Sequence, residues 1–167
     1  ELMDAYVAIH GIDPKPGIHE LLDDLKGQGI RCAIATSSPK PRAQAYLDRL
    51  GLTDKFDCIC SGHDVPHGKP APDIYLHAAA SLGLAPENCL AIEDSPAGIE
   101  SAFRAGCMPV LVPDLDGSDE EMRKKLYAEA ELRRFCEGGK RIFRGAGAEK
   151  VTVQAAVGKL RLFREKI

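Results

Sequence analysis

Three small groups of residues in this chain have the types and spacing to do chemistry. Glu93 and Asp94 stand side by side at the end of the apolar run 89–92 (CLAI). Adjacent carboxylates repel each other and prefer a cation between them, and an oxygen-only pair suits a hard divalent ion, Mg²⁺ above all. Thr36, Ser37 and Ser38 follow the run 30–35 (IRCAIA). Hydroxyls and turn N–H groups at the end of an apolar run suit an anion such as phosphate. Lys69 sits between Gly68 and Pro70, just ahead of Pro72 and Asp73, a pair suited to starting a helix. A lysine held in so stiff a loop can point into a pocket with little freedom left to lose. Each group also has a plain reading: the carboxylates as a cap and a solvated charge, the hydroxyls as an N-cap, Lys69 as an exposed loop residue. His63 and His67 flank the Lys69 loop, but nothing fixes them, and no ligand role is expected of either.

The surrounding pattern positions these groups. Residues 89–92 read as a buried strand, and Ser95 and Pro96 supply an N-cap and a first helical residue. Ile99, Ala102 and Phe103 then mark one helical face, Gly106 a C-cap, and residues 110–112 the next strand. Upstream, residues 18–26 predict a helix burying Ile18, Leu21, Leu22 and Leu25, with Gly27 or Gly29 ending it. Residues 30–35 predict a strand covered on both faces, residues 40–50 a helix, and residues 56–60 a short strand. Residues 1–12 read as the end of a helix, with Leu2, Ala5, Tyr6 and Ile9 on one face, and Pro14, Pro16 and Gly17 as a stiff hinge. Past 112, the spacing predicts a charged helix over 119–136, a glycine-rich basic loop over 137–147, a strand over 151–153 and a closing helix over 155–167. Alternating strands and helices predict an α/β fold with a doubly wound parallel sheet. Ligands then gather at the carboxyl ends of its strands, and all three groups follow strands or lie in loops on that side.

Composition sets the bounds. The chain has 167 residues, 44% hydrophobic and 28% charged, with net charge −3, as expected of one globular domain. No apolar run approaches membrane-spanning length, and the opening ELMDAYVAIHG has no basic region followed by an apolar core, so neither a span nor a signal peptide is expected. Of the six cysteines, Cys58 and Cys60 lack the spacing of a zinc or redox pair. Reduced thiols in a cytoplasmic protein are the expectation. Residues 119–167 carry +5 and the remainder −8. With acidic residues interspersed, the basic end reads as a solvated surface rather than a nucleic-acid site.

The strings PGIHELLDDLKGQGIRCAIATSS, GKPAPDIYL and IEDSPAGIESAFRAG resemble, in order and spacing, the second, third and fourth motifs of the haloacid dehalogenase (HAD) superfamily. Within it they are most similar to the subgroup of beta-phosphoglucomutase, phosphoglycolate phosphatase and the sugar-phosphate phosphatases. The resemblance covers about residues 14–113. It implies a HAD-like, Rossmann-like core over 14–167, with residues 1–13 as the remnant of a helical cap. It also implies roles: Thr36, aided by the backbone at Ser37, for the substrate phosphoryl group; Lys69 for its charge; Asp94 with Glu93 for Mg²⁺. The implied activity is Mg²⁺-dependent hydrolysis of a small phosphorylated metabolite such as a sugar phosphate. A phosphomutase of the beta-phosphoglucomutase kind and a non-catalytic phosphate-binding module are the alternatives. A dehalogenase needs no metal and fits the acidic pair less well.

The family's nucleophile is the first aspartate of a D-x-D-G-[TS] motif that follows its first strand. Ahead of Thr36 the aspartates are Asp4, Asp13, Asp23 and Asp24, and none follows an apolar strand. The resemblance therefore implies that the first strand and most of the cap lie outside this chain. It further implies that the strands ending at Thr36 and Glu93 present open edges to each other. The segment VLVPDLDGS, with Asp114 and Asp116, has the motif's form but comes after the fourth motif, and reads as a polar turn.

Overall fold

In the computed structural model, residues 17–112 are described without a break, together with residues 11, 13–14, 124–125, 128–129, 154–157 and 163–164. The strands are β1 (Asp13–Pro14), β2 (Ala33–Thr36), β3 (Cys58–Ser61), β4 (Cys89–Glu93), β5 (Met108–Leu111), β6 (Ala128–Glu129), β7 (Gln154–Val157) and β8 (Phe163–Arg164). The helices are α1 (Ile18–Gly27), α2 (Lys40–Leu50), α3 (Asp73–Ser81) and α4 (Pro96–Arg104). Six strands form one parallel sheet in the order β3-β2-β7-β4-β5-β6, and β1 pairs with β8 antiparallel. The expected doubly wound α/β architecture is what is found.

Side-chain size divides the two faces of the sheet. Ile34, Ile59, Leu90, Ile92 and Val110 point to a face covered by Ile18, Leu21, Leu22 and Leu25 of α1 and by Leu47 and Leu50 of α2. The intervening positions, Ala33, Ala35, Cys60, Cys89 and Ala91, meet Ile74, Tyr75, Ala78 and Ala79 of α3 and Ala102 of α4. Small strand residues let α3 and α4 approach the sheet closely. The buried face of α4 is carried by Gly98, Ile99, Ser101 and Ala102, and Phe103, expected inward, lies off it and is exposed. The α1 leucines recur at helical spacing and are fully covered, so Leu25→Ala would cost about 2–5 kcal/mol. The cysteines of the core behave as small hydrophobes: all five described are free, and burial pushes the Cys107 thiol up to about 12.

The C-terminal third differs most from expectation. A helix over 155–167 is replaced by β7 and β8, and β6 lies within the predicted helix 119–136. The expected strand 151–153, most of residues 1–12, and Asp114 and Asp116 lie outside the described residues. The two inner edges are not open either. β7 fills the slot between β2 and β4, with Ile34↔Val157 and Ile92↔Val157 as its last register pairs. An unpaired inner edge leaves buried N–H and C=O groups without partners, and that long-range demand overrides a weak local helical pattern.

Candidate functional site

Because the six strands are parallel, their carboxyl ends lie along one edge of the sheet, and β2 and β4 both run past the last register pair of β7. β2 ends with Thr36 inside the strand, where a position just beyond it was expected. Its Oγ1 accepts from the Ser38 N–H at 3.1 Å, so the Thr36 hydroxyl proton is directed elsewhere. Ser37 is exposed in the turn that follows. β3 braces this turn: the Gly62 N–H donates to Thr36 O at 2.7 Å, and the buried Ser61 hydroxyl donates to Ser38 O at 2.8 Å.

Glu93 ends β4 fully buried, with 0% exposure. Its Oε1 accepts from Lys69 Nζ and from the Tyr75 hydroxyl, the latter at 2.5 Å, and its Oε2 accepts from the Ser95 hydroxyl at 3.2 Å. Ser95 also caps α4, accepting from the Gly98 N–H at 3.2 Å, as the sequence predicts. A Cβ at Gly98 would overlap the Glu93 carboxylate, so glycine is required for this packing. Lys69, 6% exposed, donates a second bond to Ala35 O at 3.1 Å. It therefore ties β2 to β4 just beyond the end of β7. The loop bearing it is fastened to α4 by the buried Ser101 hydroxyl, which donates to Ala71 O at 2.5 Å.

Burial, and after it the neighbouring Glu93 charge, hold the Tyr75 phenol well above its usual range, so it stays a donor. Asp94, next to Glu93, is half-buried at the start of the loop into α4. His67 is exposed and pairs with Asp73 at 3.0 Å. That hydrogen bond holds the Asp73 carboxyl below its ordinary value. His63 is exposed as well.

The structure thus joins Lys69 to Glu93 directly and to β2 through Ala35, while Thr36 and Ser37 follow on the same strand end. Tyr75, Ser61, Ser95 and Gly98 complete the arrangement and were not singled out from sequence for these contacts. Tyr75 had a legible signal, since a tyrosine on the apolar face of a buried helix needs a partner for its hydroxyl. The partner itself is 18 residues away.

For a metal, the described residues contain no cluster of three or more His, Cys, Asp or Glu side chains. Mg²⁺ asks for less, since it keeps several waters and binds through one or two carboxylates plus substrate phosphate. Asp94, half-buried at the strand end, is an oxygen donor of that kind, whereas the Glu93 oxygens are taken up by Lys69, Tyr75 and Ser95 and stand behind it.

A parallel doubly wound sheet with its candidate groups at the strand ends agrees in fold with what comparison with known proteins finds. The sequence profile described as "Hydrolase: haloacid dehalogenase-like hydrolase" matches residues 1–106, and the chain belongs to that family. Within it the chain is of the beta-phosphoglucomutase/CbbY type. Protein CbbY of Rhodobacter capsulatus is 45% identical over 101 residues, covering 59% of this chain and 44% of that protein. Hexitol phosphatase A of Escherichia coli is 42% identical over 102 residues, covering 61% and 47%. The crystal structure of CbbY from Rhodobacter sphaeroides in complex with phosphate has a TM-score of 0.71 at 31% identity, covering 78% of this chain and 60% of that one. The chain spans about half the length of the curated relatives it matches.

Proposed function

We propose that this site serves Mg²⁺-dependent hydrolysis of a small phosphorylated metabolite such as a sugar phosphate. The observation that carries the reading is the Lys69 ammonium, held between Ala35 O and Glu93 at the sheet edge where Thr36 ends β2. Lys69 offsets phosphate charge from a nearly dry position, where Coulomb attraction is weakly screened. The Thr36 hydroxyl and the N–H groups around Ser37 donate to phosphate oxygens. Asp94, with Glu93 behind it, would hold Mg²⁺, which when bound neutralises charge on the transferring phosphoryl group. Phosphoryl transfer depends on such positioning and charge stabilisation. A hexitol phosphatase and a phosphate-bound CbbY among the relatives support a phosphorylated carbohydrate as the substrate class. The free thiols suit a cytoplasmic setting, and no described helix is long and apolar enough to cross a membrane.

One observation favours a second reading, a phosphate-binding module without turnover. The central strand β7 is followed by Gly158 and Lys159, and residues 154–160 contain no Asp or Glu. The attacking carboxylate of the hydrolytic route does not come from this strand. The test is p-nitrophenyl phosphate turnover with and without Mg²⁺, beside calorimetric titration of inorganic phosphate. Mg²⁺-dependent turnover upholds the hydrolytic reading, and phosphate binding without turnover upholds the second. Turnover abolished by Asp114→Ala or Asp116→Ala would instead place the attacking carboxylate within residues 113–118. Absence of phosphate binding would sink both readings.

A further inference from the structure

Tyr75 has no part in the reading above, yet its hydroxyl lies at the centre of the buried network. The residue sits on the inner face of α3 with Ile74, Ala78 and Ala79, and is fully covered. Phenylalanine would give the helix the same apolar surface without a buried hydroxyl to satisfy. That hydroxyl meets Glu93 Oε1, the oxygen that also accepts from Lys69 Nζ. The Lys69 Nζ lies 5.0 Å from the centroid of the Tyr75 ring, within reach of its π face. On the other side Gly98 brings bare backbone against the same carboxylate, and the Ser95 hydroxyl takes Oε2. Glu93 is held from α3, from the loop after β4 and from α4 together.

We propose that Tyr75 is a positioning residue: its hydroxyl fixes the Glu93 carboxylate, and through it the Lys69 ammonium, at the edge of the sheet. This deepens the function proposed above and rests on Lys69 being the phosphate-binding cation. The phenol itself does not reach the phosphate. It sets where Lys69 stands by denying Glu93 any other orientation. Of the two neighbouring carboxylates, Glu93 then serves chiefly as the internal counter-ion of Lys69, which leaves the cation to Asp94.

The test compares the wild-type chain with Tyr75→Phe, which keeps the ring and removes the donor. Lys69 acetylation by an amine-reactive ester is followed by peptide mass mapping, with the exposed Lys26 as internal reference, and inorganic phosphate is titrated by calorimetry. In folded Tyr75→Phe, Lys69 should react faster and phosphate should bind more weakly, each by about 2- to 12-fold, the equivalent of one hydrogen bond. A merely structural hydroxyl would lower the unfolding midpoint and move neither readout. Replacement of Tyr75 by 4-fluorophenylalanine, which fills the hydroxyl's space without donating, gives the same comparison if Tyr75→Phe folds poorly. Gly98→Ala displaces the carboxylate with the phenol intact and should release Lys69 too. A wild-type Lys69 rate in folded Tyr75→Phe overturns the proposal, even if phosphate binds normally. Release of Lys69 in a chain whose wild type binds no phosphate would uphold the positioning role and overturn the phosphate reading alone.

Discussion

On the β4 side of the site the functional atoms are charged and buried, and they lean on one another: Lys69 on Glu93, Glu93 on Tyr75 and Ser95. On the β2 side they are neutral, the buried Thr36 hydroxyl and the exposed turn at Ser37, held in place by Ser61 and by Gly62 just after the next strand. The two sides pair a fixed cation with adaptable donors. A buried charge pair keeps its geometry because its alternatives are costly. A surface turn keeps its geometry only through a few hydrogen bonds of ordinary strength. Stability and ligand affinity should therefore respond very differently to substitution on the two sides.

The largest expected effect comes from breaking the buried pair. Glu93→Ala strands the Lys69 ammonium in a dry site, and Lys69→Ala strands the carboxylate, so each should lower unfolding free energy by about 3–5 kcal/mol. The double replacement Glu93→Leu with Lys69→Met removes both charges and should recover most of that loss, because apolar residues of similar volume often substitute for a buried pair without cost. Urea unfolding of the single and double variants measures the coupling directly. Additive losses would show that the pair is not the linchpin of the β4 side.

Next come the phosphate contacts. Lys69→Ala should weaken inorganic phosphate or vanadate binding by about 1.5–3 kcal/mol, the range of a charge-assisted bond, whereas Thr36→Val should cost about 0.5–1.5. Calorimetry on the folded fraction separates this from the stability loss. Wild-type affinity in both variants would return Lys69 and Thr36 to the plain roles of core counter-ion and turn residue. Ser61→Ala tests the brace on the β2 side: loss of its bond to Ser38 O should cost about 0.5–1.5 kcal/mol of stability. It should also reduce phosphate affinity less than Thr36→Val does.

How far the sequence disclosed this arrangement follows from the range of the interactions involved. α1 and α4 were legible because their signals are local: leucines at helical spacing over residues 18–25, and Ser95-Pro96 at a helix start. The candidate residues Thr36, Ser37, Lys69, Glu93 and Asp94 could be named from sequence because each of the three motifs that hold them is contiguous, which is also why the family resemblance was visible. The contact of Tyr75 with Glu93, the Ser61 brace and the Gly98 approach were not, since each joins residues from different elements. β7 is the sharpest case. Its four residues, Gln-Ala-Ala-Val, carry no strong strand signal, and their place is set by the unpaired edges of β2 and β4. Phe103 was placed inward because its spacing from Ile99 is helical, but the buried face of α4 runs through Gly98, Ser101 and Ala102 and leaves Phe103 at its margin.

The smallest effect on stability should come from Asp94→Asn, and that small effect sharpens the contrast between two adjacent carboxylates. Glu93 is enclosed, with three side-chain donors on its oxygens, whereas Asp94 is half-buried at the start of the loop. Replacing Asp94 by its neutral isostere removes one of two neighbouring negative charges and relieves their repulsion. The unfolding free energy should therefore stay within about 0.5 kcal/mol of wild type. Mg²⁺ should separate the two proteins where unfolding does not. A ligand that binds only the folded state stabilises it in proportion to its affinity, so added Mg²⁺ should raise the wild-type unfolding midpoint and leave that of Asp94→Asn unmoved. A midpoint that rises equally in both would take the cation away from Asp94. A large stability loss in the absence of Mg²⁺ would show that Asp94, like Glu93, belongs to the buried framework.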